Sequence, residues 1–158
     1  MLELEVFCSL AILGKMALKI GQNGQITAVF LVIQLHNFVF CAREKNLPEL
    51  IANNGLNAGV MLPETSLWAA QLDMHRSAIL TVEINEKVFD TTTLWPMAGG
   101  PKGSLELPQR HLLGCDLQIA VDDLVLARTT LGLYPVHSGD AITMYLDHQP
   151  VAQCTIGK

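Results

Sequence analysis

Asp123-Leu-Val-Leu-Ala-Arg-Thr-Thr-Leu-Gly-Leu-Tyr-Pro-Val-His-Ser-Gly-Asp140 is the stretch on which the fold turns. Leu124 to Ala127 reads as a short apolar strand and Thr129-Thr130-Leu131-Gly132 as a polar break. Pro135 and the Ser138-Gly139-Asp140 turn then lead into Ala141-Ile-Thr-Met-Tyr-Leu146, which alternates apolar and polar positions as a half-buried strand does. A last hairpin around His148-Gln149 follows, so from Asp123 onward only strands and turns are legible.

Working back from there, Ser77 to Ile84 reads as a strand that Asn85-Glu86 turns into Lys87 to Thr92. Ala98-Gly-Gly-Pro-Lys-Gly103 is a loop introducing a helix over Ser104 to Leu113, with Ser104 at its N-cap. Leu47-Pro-Glu-Leu-Ile-Ala-Asn-Asn54-Gly55 has the form of a short helix, proline in its first turn and Asn-Gly at its end. Val60 to Leu62 and Ile33 to Phe40 read as strands, Arg43 to Asn46 as a charged loop and Gly21 to Gly24 as a turn. Ile26 to Leu31 is helix or strand by periodicity alone. Leu2-Glu-Leu-Glu-Val6 alternates as a strand with one wet face and runs into the more apolar Phe7 to Leu13.

At 158 residues, half of them apolar and 16% charged, the chain is read as one domain with its own core. That apolar content is rich for a small monomer and predicts a homodimer or higher homo-oligomer. A net charge of −5 argues against nucleic-acid binding, which needs a basic face. The uncharged run from Ile20 to Phe40 carries too many Gly, Gln, Asn and His residues for a bilayer span, and the N-terminus lacks a signal peptide's basic start. Four scattered cysteines without CxxC spacing suit buried thiols in a cytoplasmic protein.

The opening stretch resembles the "GD-(I/V)-(V/I)-L-(T/A)-G-T … P-V-x-x-G-D-x-(I/V)" signature of the fumarylacetoacetate hydrolase superfamily, especially its 2-keto-4-pentenoate hydratase branch. Ile33-Gln-Leu-His-Asn-Phe-Val-Phe40 is similar to the segment in which a glutamate leads "E-L-x-(D/N)". Leu50-Ile-Ala-Asn-Asn54 is similar to "(L/I)-I-A-D-N", Gly59-Val-Met-Leu62 to "G-x-V-L", and Val82-Glu-Ile-Asn-Glu-Lys-Val-Phe89 to "V-x-x-N-G-x-V". The blocks are collinear over most of residues 25 to 156. The resemblance implies an α+β fold whose dominant, mixed and curved sheet is rolled or barrel-like and carries two or three short helices. It favours a helix over Ile26 to Leu31. It further implies a C-terminal-like domain without the N-terminal subdomain that supplies pocket wall and lid.

The same resemblance implies a site for Mg²⁺ or Mn²⁺ held by an E-x-E pair and a third acid. Hard cations take oxygen ligands, and the metal acts as a Lewis acid on a 2-oxo acid. Glu3 and Glu5 match the pair, and strand periodicity puts both on one face. Gln34 stands where the third acid is due, 31 residues after Glu3 and 29 after Glu5; a neutral amide there removes one charge. A solvent-facing strand edge is the competing reading of the two glutamates. His36 would share the face of Gln34 and is read as a structural histidine. Thr129 and Asn54 match the family's substrate-binding threonine and asparagine, with Arg128 where the family has glycine and a helix cap as the plainer role for Asn54. No general base is assigned: Lys45, Lys102 and His111 qualify by chemistry and are more readily explained as surface residues.

The expected function is a metal-dependent hydratase or lyase of aromatic catabolism acting on a small 2-oxo (2-hydroxy-dienoic) acid, with impaired activity allowed for by Gln34 and Arg128. The alternative is a catalytically inactive binding or oligomeric interaction protein on the same fold.

Overall fold

Strand β1 (Phe7–Ile20) and strand β2 (Ile26–Phe40) form a long antiparallel hairpin in the computed structural model, which describes residues 7–40, 46–63, 78–95 and 98–157. Their ladder runs from Phe7 opposite Phe40 to Ile20 opposite Ile26, closed by a single 3₁₀ turn at Gln22–Gly24. Ile12, Met16, Leu18 and Ile20 of β1 and Val29, Leu31 and Ile33 of β2 enter the main core. The opposite face carries Ala17, Phe30 and Val32 in a second apolar cluster. Both faces of β2 are therefore covered, which produces the unbroken apolar run that periodicity could not resolve. The helix favoured over Ile26–Leu31 is thus corrected to strand, rich in β-branched residues and paired along its length.

Helix α1 (Leu47–Ala52) follows, capped by Asn46, whose side chain accepts from the Glu49 N–H at 2.9 Å. Strand β3 (Asn57–Met61) pairs with the outer edge of β2. Strand β6 (Leu124–Leu126) and strand β7 (Tyr134–Val136) pair in turn with the outer edge of β1. The second sheet orders strand β5 (Lys87–Thr93), β4 (Ile79–Ile84), β8 (Ala141–Leu146) and β9 (Gln149–Thr155). Every ladder between described strands is antiparallel rather than mixed, and three of the seven, β1–β2, β4–β5 and β8–β9, are hairpins. Within that refinement the expected α+β class and curled β core hold.

Leu80, Val82, Ile84, Ile142, Met144 and Leu146 present the second sheet's buried face to the first. At the contact Gly14 is required: a Cβ there would sit 2.0 Å from Met144 Cε and 2.9 Å from Leu131 Cδ1. The two hairpin turns of the second sheet are tight, Asn85-Glu86 and Asp147-His148 all adopting positive φ, as two-residue turns between twisted strands demand. Asn85 also binds the Gly-Asp turn of the opening stretch, donating from Nδ2 to Asp140 Oδ1 at 2.8 Å and accepting from Ala141 N–H at 2.9 Å.

Helix α2 (Gly100–Leu113) begins four residues earlier than expected, with Gly99 at its N-cap in the left-handed conformation and Pro101 in its first turn. Ser104 is therefore a buried interior residue and not the cap, because the flanking glycines supply the backbone geometry that starts the helix.

Candidate functional site

The second face of β2 carries the buried and half-buried polar residues Gln34 and His36. Phe30, Val32, Gln34, His36 and Phe38 alternate along it, and Gln34, 6% exposed, stands opposite Leu13 of β1 and Val60 of β3. A buried amide must be held. Gln34 Nε2 donates to Asn57 Oδ1 at 2.9 Å, whereas Gln34 Oε1 has no hydrogen-bond partner among the described residues. A bulge between Leu35 and His36 in the β2–β3 ladder brings Asn57 opposite His36, on the face it shares with Gln34.

His36 is half-buried and its Nε2 also lacks a partner among the described residues. Burial, and then the nearby Lys15 ammonium, lower its pKa, so the neutral imidazole is favoured. Lys15 itself stands opposite Val32 on the same face, and desolvation lowers its pKa. Lys15, Gln34, His36 and Asn57 form a polar strip grading from buried Gln34 to exposed Asn57, between the apolar clusters of Phe30 and Phe38.

Of the residues expected to bind metal, Glu3 and Glu5 lie outside the described residues; so does Lys45, one of the three residues that qualify by chemistry as a general base. Among the described residues no group of three or more His, Cys, Asp or Glu side chains is placed to hold a metal ion. Gln34's orphaned oxygen does suit a hard cation, being a preplaced carbonyl-type donor.

Asn54 and Thr129 flank the long hairpin on opposite sides. Asn54 is exposed in the positive-φ turn that leads from α1 to β3, on the β2 side. Thr129 lies between β6 and β7, on the β1 side, where its Oγ1 accepts the Leu131 N–H at 3.1 Å. Arg128 is exposed, Lys102 and His111 are exposed on α2, and Asn53, not Asn54, is the C-cap of α1.

The Thr129 turn is tied to the second sheet by a further polar group. Asp90 of β5 accepts from the Tyr134 hydroxyl and, at 3.2 Å, from the Gly132 N–H, while the Thr92 and Thr130 hydroxyls pair beside it. The Tyr134 hydroxyl, foremost, with the backbone N–H groups of Gly132 and Thr91, holds the Asp90 carboxyl below the usual carboxylate range. Phe89 packs edge-on against Tyr134 at 5.7 Å.

Sequence reasoning missed Lys15, Asn57, Asp90 and Tyr134. Lys15 did leave a trace, as the cation that ends the uncharged run Val6–Gly14. The others depend on pairings between distant segments and left none.

No protein-family model and no curated protein sequence matches the chain. Solved structures do. 4-Oxalocrotonate decarboxylase from Pseudomonas putida G7, complexed with magnesium and adipate, superposes with a TM-score of 0.71 at 16% identity over 94% of this chain and 60% of that one. The same enzyme complexed with calcium and acetate gives 0.69 at 15% identity, over the same shares. A fumarylacetoacetate hydrolase family protein from Yersinia pestis CO92 gives 0.59 at 18% identity, over 94% of this chain and 73% of that one. The chain has the fumarylacetoacetate hydrolase fold.

The chain spans about 60% of the length of 4-oxalocrotonate decarboxylase. At such identities the fumarylacetoacetate hydrolase fold is what the likeness establishes, and a fold hosts many chemistries. No helix among the described residues is long and apolar enough to cross a membrane.

Proposed function

We propose that this chain is a fumarylacetoacetate hydrolase superfamily protein of the hydratase-like branch, a metal-dependent lyase of a small 2-oxo or 2-hydroxy-dienoic acid. The observation that carries the reading is the buried Oε1 of Gln34, without a hydrogen-bond partner among the described residues, on an amide whose Nε2 is held by Asn57 and on a fold whose solved relative is complexed with magnesium and a dicarboxylate. Glu3, Glu5 and Gln34 would hold Mg²⁺ or Mn²⁺, which when bound supplies Lewis-acid polarisation of a keto group.

The chain's own residues do the rest. Asn57 keeps the Gln34 oxygen from rotating away, so the donor is preorganised. Neutral His36 leaves a ring nitrogen available to a proton on the acid. Thr129 accepts the Leu131 N–H through its oxygen, which leaves its hydroxyl hydrogen to donate to a carboxylate. Exposed Asn54, on the other side of the hairpin, is the second residue assigned to substrate in this reading. A homodimer or higher homo-oligomer in the cytoplasm accompanies this reading.

The second reading is a binding or oligomeric interaction protein without catalysis, favoured by the neutrality of Gln34, which weakens a site that relatives of this branch build from three acids. Calorimetric titration of Mg²⁺ and Mn²⁺ into chelator-stripped protein, with and without oxalate, separates the two. Cation binding that oxalate strengthens and Glu5→Gln abolishes supports the enzyme. Binding absent in the natural chain but recovered in Gln34→Glu supports the second reading.

A further inference from the structure

Lys15 and Gln34 are diagonal neighbours on one sheet face, Lys15 opposite Val32 and Gln34 opposite Leu13. Such pairs lie roughly 7–8 Å apart at the backbone, within reach of a lysine side chain. Lys19, four residues on, is paired with Asp122 at 3.1 Å. Lys15 has no corresponding carboxylate among the described residues, although it is half-buried. Desolvating an ammonium without a counter-charge is unfavourable, and so is burying an amide oxygen without a donor. Among the described residues, then, two neighbouring positions of one sheet face each want a partner: the Lys15 ammonium has no anion and Gln34 Oε1 no donor.

One ligand chemistry answers both. A 2-hydroxy acid, or the enol of a 2-oxo acid, carries an anionic carboxylate and a hydroxyl on adjacent carbons. We propose that Lys15 is a substrate-binding residue that anchors the carboxylate of a small 2-hydroxy or enolised 2-oxo acid, whose 2-oxygen is directed at Gln34. The assignment rests on the function proposed above and names the residue that recognises the acid. Were a cation held at Gln34, it would take the place of the donor that Oε1 lacks, and Lys15 would still face the carboxylate. His36, two residues beyond Gln34 on the same face, has an Nε2 without a partner among the described residues.

The test is calorimetric titration of oxalate, lactate and propionate into the full chain, after chelation and again with Mg²⁺ added, for the natural protein and three variants. Lys15→Met keeps the length and apolar stem and removes the charge; it is expected to weaken oxalate and lactate about tenfold or more, the scale of one lost charge-assisted contact. Lys15→Arg is expected to stay within about threefold. Gln34→Leu should weaken lactate and leave propionate, which lacks the 2-oxygen, unchanged. Thermal unfolding of Lys15→Met at or above that of the natural chain verifies that the fold is intact. Equal oxalate binding by the natural chain and Lys15→Met overturns the anchor while leaving the 2-oxo acid reading standing. Failure of the natural chain to bind any acid, with or without Mg²⁺, overturns both.

Discussion

Gln34 and Asn57 are bound side chain to side chain, Nε2 to Oδ1 at 2.9 Å, across the β2–β3 ladder. The bond orients an amide that has no other partner among the described residues. Asn57→Ala therefore leaves both ends of a buried amide unsatisfied and should cost about 1–3 kcal/mol in urea unfolding. Asn57→Asp, which retains the acceptor, should cost less. An Asn57→Ala protein as stable as the natural one would remove Asn57 from the site's architecture.

Gln34→Glu is the complementary change. It adds a negative charge where a hard cation would be held, and Mg²⁺ affinity should rise about tenfold by ligand-charge arguments. Without metal the same variant should be less stable than the natural chain, since a buried carboxylate is costly. Calorimetry and thermal unfolding, each with and without Mg²⁺, read the two effects separately.

Asp90 and Tyr134 fasten β5 of one sheet to β7 of the other. Tyr134→Phe removes the hydroxyl and should cost about 1 kcal/mol, discounted for partial exposure of the pair. The pH dependence has a definite sign. Because the folded carboxyl of Asp90 is held below its unfolded value of 3.8, its contribution is present above that pH and is lost as pH falls through the folded value. Tyr134→Phe should accordingly flatten the acid limb of the stability curve below pH 3.8, measured by denaturant unfolding across the acid range.

Lys15 predicts the opposite limb. Its folded pKa is depressed below 10.5, so the unfolded chain binds the proton more tightly and stability rises with pH towards that value. Lys15→Met should thus be more stable than the natural chain at neutral pH, and its advantage should vanish above pH 10.5. A constant difference across the alkaline range would show that packing, and not desolvation, sets the effect.

Gly14 faces Met144 and Leu131 with no room for a side chain. Gly14→Val should destabilise by about 1–3 kcal/mol, the usual range for an overpacked core. Pairing it with Met144→Ala, which vacates the clashing methyl group, should recover part of the loss. Strict additivity in that double-mutant cycle would place the strain elsewhere.

The C-terminal half of the fold was legible because its signals are local. Asn85-Glu86 and the turn before Gln149 announce hairpins through residues that tolerate positive φ, and the alternation of Ala141–Leu146 names its own buried face. Ile26–Leu31 was not legible, since a strand covered on both faces has no alternation to read. Ser104 misled because a capping residue and a buried helical serine look alike in sequence, while the deciding geometry lay at Gly99 and Gly100.

The sequence by itself determined an α+β chain with a curled β core, the identity of its C-terminal turns, and Gln34 as a residue worth locating. Only the tertiary structure decided that Gln34 meets Asn57, that Lys15 shares its face without a carboxylate partner among the described residues, and that Asp90 joins Tyr134. The reason is physical. A turn is specified by the φ preferences of adjacent residues, whereas the partner of a buried amide or ammonium is specified by strand register, which depends on how segments far apart in the chain bury their apolar faces together.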